Sequence, residues 1–531
     1  MWPGRGGPTV RAGDTVSEGG RARRAFLGGG TVLILLALVK LLLHLLTAEN
    51  YGYFRDELYY IAASERLDLG YVDFPPFVAL ATAFARVTLG DSLLALRLLP
   101  ALAGAAVVVL AGLMARELGG GRFAQCLAAL AVLVAPNFLV FGTFISMDAF
   151  DQLFQVSAAY VLLLILKRNR PRLWLLFGLF AGLGLLTKVT MLFFGFAVFV
   201  ALLVTPARRH LLTPWPWLGG VVAFVFLLPY LLWQVSHGWP TLEFWGEYGG
   251  KVDEASPAEF LIEQIVTMQP TTLPLWLVGL GFYLFAREGR PYRALGWIYV
   301  VLFVLFVALN AKFYFLAPAY PVLLAAGSVA IKRFIEQHRR WRWALPIYAS
   351  VLAISGVLVA PITVVPVLPV DTLARITGDL GGDAGIEVET REVTELPQNF
   401  ADRFGWEDMT ETVASVHDWL PPEERSEVCV LTGNYGEAGA MDFFGDNHGL
   451  PKAISGHNSY YLWGPRGCSG ETVVSVGVPR ERLEEVFGRI ERADTVRCRY
   501  CMPDEDGLPV YVCRDPKLPF EEAWPRFKHY N

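Results

Sequence analysis

The chain has 531 residues, 54% of them hydrophobic and 18% charged, with a mean hydropathy of +0.41 and a net charge of −5. Those values exclude a disordered chain and argue against a wholly soluble one, because soluble domains average about 25% charged residues. The charge is also uneven: residues 367–531 hold 16 Lys and Arg against 30 Asp and Glu, a net of −14, which leaves +9 for residues 1–366.

In chain order, residues 1–25 are rich in Gly and Arg and read as a disordered cytoplasmic tail. Arg21, Arg23 and Arg24 then precede an apolar stretch over 26–47. At about 1.5 Å per residue it is long enough to cross a bilayer core of about 30 Å. It exceeds the roughly 7–15 residues of a cleaved signal core, so it reads as a retained anchor. Further apolar stretches lie at about 92–115, 123–141, 149–166, 173–187, 191–204, 215–235, 271–286, 294–309, 318–335 and 344–366. The total is about eleven spans. With a cytoplasmic N-terminus, the inside loops 116–122, 167–172, 205–210, 287–293 and 332–343 are all basic, as the positive-inside rule requires. An odd number of spans then puts the C-terminal part outside. The membrane unit runs over 26–366, with long outer loops at 48–91 and 236–270. Within the first loop, 77–89 is apolar but too short to span, so an interfacial helix is expected there.

Residues 367–531 read as an extracytoplasmic α/β domain. Short apolar runs at 428–431, 473–478 and 510–512 are strand candidates, and 401–420 and 479–492 read as helices. The segment TGNYGEAG lacks the Gly-Lys-Ser/Thr ending of a phosphate loop, and the helix-like EAGAMDFFG overlaps it. Five of the six cysteines lie in this domain, an odd number, so at least one has no intramolecular partner. Cys498-x-x-Cys501 has no second pair, so structural disulfides or inert thiols are expected rather than a metal site.

Ionisable residues beside spans are costly, and here they gather at the outer ends. Arg55, Asp56 and Glu57 open the first outer loop among Tyr51, Tyr53, Phe54, Tyr59 and Tyr60. Asp73 follows in GYVDFPPF. Asp148 and Asp151 stand three apart in SMDAFDQLF, which suits one helical face. Arg97, Lys188 and Lys312, with Tyr314 two residues on, complete the set. Carboxylates at such a face can take a proton from a hydroxyl nucleophile. Cations beside them can hold a phosphate leaving group. Each of these residues also has a bland alternative, as an interfacial anchor or a snorkelling side chain. In the outer domain Tyr435, His457, Tyr460, Tyr461 and Trp463 could touch sugar, but a packed core explains them more simply.

The acidic pair in DELYY, then GYVDFPP, then SMDAF, resembles the bacterial members of glycosyltransferase family 39, over about residues 26–335. NFADRFGWEDM, LTGNYGEAGAMDFFG and SGHNSYYLWGP further resemble bacterial members. The resemblance implies a GT-C fold: a polytopic α-helical membrane protein carrying a C-terminal α/β domain. It implies transfer of a sugar from a polyprenyl-phosphate donor to an extracytoplasmic acceptor hydroxyl, with inversion. Asp56 matches the catalytic base, with Glu57 beside it and Asp148 as the second acidic motif. Position alone puts Arg55, Arg97, Lys188 and Lys312 on the phosphate. Tyr59, Tyr60, Asp73, Asp151 and Tyr314 join them as substrate-binding candidates. No cofactor is required, although Asp56 and Asp148 could share a divalent cation. The partners implied are the lipid-linked donor, membrane lipid and an acceptor that is protein, lipid or polysaccharide; no nucleic-acid partner is expected. The competing expectation is a transporter or lipid flippase, but no internal repeat is visible and the charges lie at one face rather than mid-span.

Overall fold

A computed structural model describes residues 18–248, 256–379 and 395–531. Residues 1–17 of the expected tail lie outside the described residues, and helix Glu18–Leu46 takes in the rest. Among the described residues, six helices are long and apolar enough to cross a membrane: Leu93–Glu117, Met147–Arg168, Pro214–Ser236, Arg290–Ala308, Phe313–Gln337 and Ala344–Thr363. Two bent pairs, Thr190–Leu203 with Pro206–Leu212 and Pro257–Thr267 with Pro270–Leu284, raise the number to eight. The chain is therefore a multi-pass membrane protein, with six to eight spans by length and composition where the sequence suggests eleven. Three shorter apolar helices, Gly30–Leu46, Arg122–Val134 and Leu173–Leu185, stand where the other spans were expected.

Small residues let these helices approach closely. A Cβ added at Gly279 would strike the Leu323 carbonyl, and one at Gly327 the Leu275 carbonyl, so the helices holding them cross at backbone contact. Phe77–Leu89 is a 13-residue helix that leaves Leu80, Phe84, Val87 and Leu89 exposed, as an interfacial helix would.

The C-terminal part carries one five-stranded sheet: β1 (Cys429–Thr432), β2 (Ile454–Ser455), β3 (Thr472–Val476), β4 (Phe487–Thr495) and β5 (Pro509–Pro516), in the order β2-β1-β3-β5-β4. β1 pairs in parallel with β2 and β3, in the register Cys429 to Val473 for the latter. β5 is antiparallel to both β3 and β4. Two sequence expectations change here. The helix expected over 479–492 stops at Val486, because Phe487 turns into the core and the following charged residues form an edge strand along β5. The helix expected over 401–420 begins at Trp406, because Gly405 at φ 91° breaks it from the short turn Gln398–Ala401. Cys429 pairs with Cys468 and Cys498 with Cys501, leaving Cys513 buried as a thiol.

Candidate active site

Helix Arg55–Ser64 starts because the Glu57 carboxylate reaches back to accept the Phe54 N–H at 2.9 Å, a cap that also suits the helix dipole. Consecutive helical residues point about 100° apart, so Asp56 and Glu57 cannot share a face. Glu57 faces inward with no exposure. It accepts the Ile145 N–H at 3.0 Å and two bonds from Arg97, Nε at 3.1 Å and Nη2 at 2.6 Å. Arg97, equally buried, donates its remaining bonds to the Ala48 and Gly52 carbonyls. Glu57 and Arg97 thus tie the helix to the span behind it. The structure does not bring either to the open face where the sequence reading put them, because each satisfies the other.

Asp56 faces the other way, with 22% of its side chain exposed. Its Oδ1 accepts the Tyr435 hydroxyl at 2.9 Å and lies 3.9 Å from Arg55 Nε. Burial pushes the Tyr435 hydroxyl well above its ordinary range, so it remains the proton donor in that bond. Tyr435 stacks on Tyr59 at 4.5 Å, and the Arg55 guanidinium lies 5.7 Å from the Tyr435 ring centroid. Two glycines allow this approach. A Cβ at Gly436 would strike Arg55, and one at Gly439 would lie 2.8 Å from the Leu58 backbone. Gly436 and Gly439 of TGNYGEAGA therefore serve helix contact, and Gly433 the close approach to Gly477. Its loop amides are also taken: Glu437 accepts the N–H of Gly433 at 2.7 Å and of Asn434 at 3.2 Å.

Asp148 begins the span Met147–Arg168 and holds Lys188 Nζ at 2.6 Å. Lys188 lies 4.5 Å from the Phe315 ring and 5.1 Å from that of Tyr314, while Lys312 lies 5.8 Å from Tyr314. Burial, and then the Lys188 charge, bring the Lys312 amine down to about 8 against the opposing pull of Asp148 and Asp56. Tyr60 sits within the field of three carboxylates: burial, then Asp56, Asp73 and Asp148, hold its hydroxyl well above the usual range. Burial likewise lifts the Asp73 carboxyl to about 7. Asp73 accepts the Tyr59 hydroxyl at 2.9 Å and Asn458 Nδ2 at 3.2 Å. Asp151, one turn beyond Asp148, is buried and accepts both of its bonds from Gln155 Nε2 at 2.9 Å.

The site therefore gathers Asp56, Asp148, Lys188, Lys312, Tyr60, Tyr314 and Arg55, with Asp73 and Tyr59 behind them. The outer domain completes it. Beyond Tyr435, Asp402 accepts the Arg55 N–H through its carbonyl at 3.2 Å, and Arg403 Nη2 donates to Thr143 Oγ1 at 2.7 Å. Asp402 and Arg403 carried no sequence signal beyond lying in NFADRFGWEDM. Among the described residues, the one cluster with metal-ligand spacing is Cys498, Cys501 and Asp506, where the two sulfurs are bonded to each other.

Comparison with known structures settles the architecture. ArnT from Cupriavidus metallidurans, bound to undecaprenyl phosphate, matches with a TM-score of 0.60 over 90% of this chain and 97% of its own, at 18% identity. Its apo form matches at 0.60 over 92% and 98%, again at 18% identity. The chain shares its fold with ArnT. A model of the family described as dolichyl-phosphate-mannose-protein mannosyltransferase matches residues 73–233 of this chain, a stretch that takes in Asp73, Asp148 and Lys188. A lipid A galacturonosyltransferase, RgtD, from Rhizobium johnstonii is 26% identical over 292 residues, 53% of this chain and 61% of that enzyme. The match thus spans under two thirds of the length of that curated relative.

Proposed function

We propose that this protein is an integral-membrane glycosyltransferase that moves a sugar from a polyprenyl-phosphate donor to an acceptor hydroxyl, with inversion at the anomeric carbon. The observation that carries the reading is the partly exposed Asp56 carboxylate, oriented by Tyr435, at a face whose cations are Lys188 and Lys312. The ArnT structure holding undecaprenyl phosphate supports the donor class, and the matched lipid A galacturonosyltransferase supports sugar transfer, with a lipid acceptor among the candidates.

In this mechanism the acceptor O–H gives its proton to Asp56 as its oxygen bonds to the anomeric carbon. The bond from that carbon to the phosphate oxygen breaks, and the electron pair leaves on the phosphate. Lys312 and Lys188 hold the phosphate and its growing charge, with Arg55 at the edge. Asp148 keeps Lys188 in place between turnovers. Tyr435 fixes which Asp56 oxygen is free to receive the proton. Asp73, Tyr59, Tyr60 and Tyr314 line the sugar's approach. The scheme needs no cofactor; a divalent cation held by Asp56 and Asp148 is the alternative, and it predicts loss of turnover in a chelator. The basic loops argue for a cell membrane protein with a cytoplasmic N-terminus and with the site and the C-terminal domain outside.

The test is transfer from radiolabelled polyprenyl-phosphate sugars in membranes. Wild type is expected to give labelled product, unchanged by chelator, and Asp56→Asn none, with both proteins equally folded. The label then identifies the acceptor. A folded wild type that transfers from no donor would overturn the reading in favour of transport.

A further inference from the structure

Behind the site, on the far side of Tyr59 from Asp56, a second group of cations lies at the same face. Arg66 follows helix Arg55–Ser64, and its guanidinium sits 5.1 Å from the ring of Trp463. Trp463 in turn packs 6.3 Å from Tyr59 and 4.6 Å from Tyr460. Arg466 belongs to the same group. Its Nη1 and Nη2 donate to Asp442 at 3.1 and 3.0 Å, and the Tyr460 hydroxyl adds a third bond to that carboxylate at 3.1 Å.

The polar accounting is uneven. Asp442 is saturated: it also accepts the Ala453 N–H at 2.7 Å. Glu65, the nearest exposed carboxylate in sequence, is taken by Arg86 at 2.9 Å. Among the described residues, neither the Arg66 guanidinium nor the Trp463 indole N–H donates to a protein acceptor, and Arg466 Nε is buried with none. Burial, and then the Arg466 charge, both press against the Arg66 cation. Such a set of planar donors, one over an indole ring, suits a phosphate group, which accepts a guanidinium through two oxygens. Its surroundings are those of a bilayer surface. Leu67 and Leu69, immediately beyond Arg66, are more than half exposed, and the apolar face of the interfacial helix lies alongside, joined to Glu65 through Arg86.

We infer that Arg66, with Trp463 and Arg466, forms a second phosphate site, separate from Lys188 and Lys312, that holds the headgroup phosphate of a membrane lipid. Arg66 receives two phosphate oxygens, the Trp463 N–H a third contact, and the lipid chains lie over Leu67 and Leu69. Binding is independent of turnover, so the result stands whatever the transfer assay gives.

The test is native mass spectrometry of the full-length protein released from detergent with equal amounts of phosphatidic acid and phosphatidylcholine. Wild type is expected to retain phosphatidic acid selectively. Arg66→Gln should weaken that retention about tenfold, as loss of a charged bidentate donor implies, and Lys312→Gln should leave it unchanged. Trp463→Phe, which keeps the ring and removes the donor, should weaken it several-fold and serves if Arg66→Gln does not fold. Retention unchanged in both variants, or lost in Lys312→Gln instead, would overturn the site. Displacement by equimolar inorganic phosphate would overturn the lipid assignment.

Discussion

Asp56 and Glu57 are neighbours in sequence with opposite surroundings, and their substitutions should part accordingly. Glu57→Gln breaks a buried pair and leaves Arg97 without its counter-charge, a loss of about 3–5 kcal/mol. It should appear as a lowered Tm in detergent. Asp56→Asn should leave Tm unchanged while ending turnover. Tyr435→Phe keeps the stack on Tyr59 but removes the bond to Asp56, and a fall of about tenfold in kcat is expected from the loss of one charged hydrogen bond. Lys312 supplies a pH dependence. Its amine is held down to about 8, so the charged form exists below that pH and is lost above it. Donor affinity should therefore fall as pH rises through 8, and Lys312→Arg should abolish that fall. Dissociation constants for a polyprenyl phosphate between pH 7 and 9 would check it. At this scale the sequence showed which charges were out of place. It did not show which of two adjacent carboxylates turned inward, because that depends on where helix Arg55–Ser64 begins and which side its neighbours cover. Tyr435 was less legible still, since its bond to Asp56 joins residues 379 apart.

Among the elements, long apolar periodicity was readable and local breaks were not. Phe77–Leu89 was recognisable as a helix too short to span because length alone decides that. The edge strand β4 was not, since Phe487–Thr495 is charged enough to pass for helix and only the free edge of β5 recruits it. The first span shows a related case. Lys40 and His44 lie inside its apolar run, where a charge is costly. The structure gives them partners: Lys40 Nζ donates to the Phe138 carbonyl at 2.5 Å, and His44 Nε2 lies 3.0 Å from that of Leu139. They thereby hold the turn that leads to Ile145, whose N–H binds Glu57. The crossing at Gly279 and Gly327 gives this scale its prediction. Gly279→Ala would force a methyl onto the Leu323 carbonyl and should cost about 1–3 kcal/mol, as overpacking does. Thermal unfolding in detergent would measure it, and Gly281→Ala, with open space around it, serves as the control.

In the whole molecule, the division into a basic apolar part and an acidic α/β part was written in the charge distribution. The seam between them was not. Helix Arg55–Ser64 packs there on helix Tyr435–Phe444, and around that contact lie polar links such as Tyr435 on Asp56, Arg403 on Thr143, Asn458 on Asp73, and Lys528 on Glu243 at 2.7 Å. Their residue types are ordinary at a surface, so nothing in the sequence distinguishes them from solvated side chains. Lys528→Ala with Glu243→Ala should loosen the seam without touching the chemistry, and faster amide exchange in 240–248 would report it.

The bond between Tyr435 and Asp56 has a consequence in time. During synthesis the helix bearing Asp56 is made long before the ribosome reaches Tyr435. Until that tyrosine arrives on a folded sheet, with Cys429 joined to Cys468, the carboxylate lacks its orienting partner. A half-made chain would thus carry the acid and the cations without the bond whose loss is expected to cost about tenfold in the proposed turnover. The distant tyrosine thereby ties the full proposed activity to completion of the polypeptide.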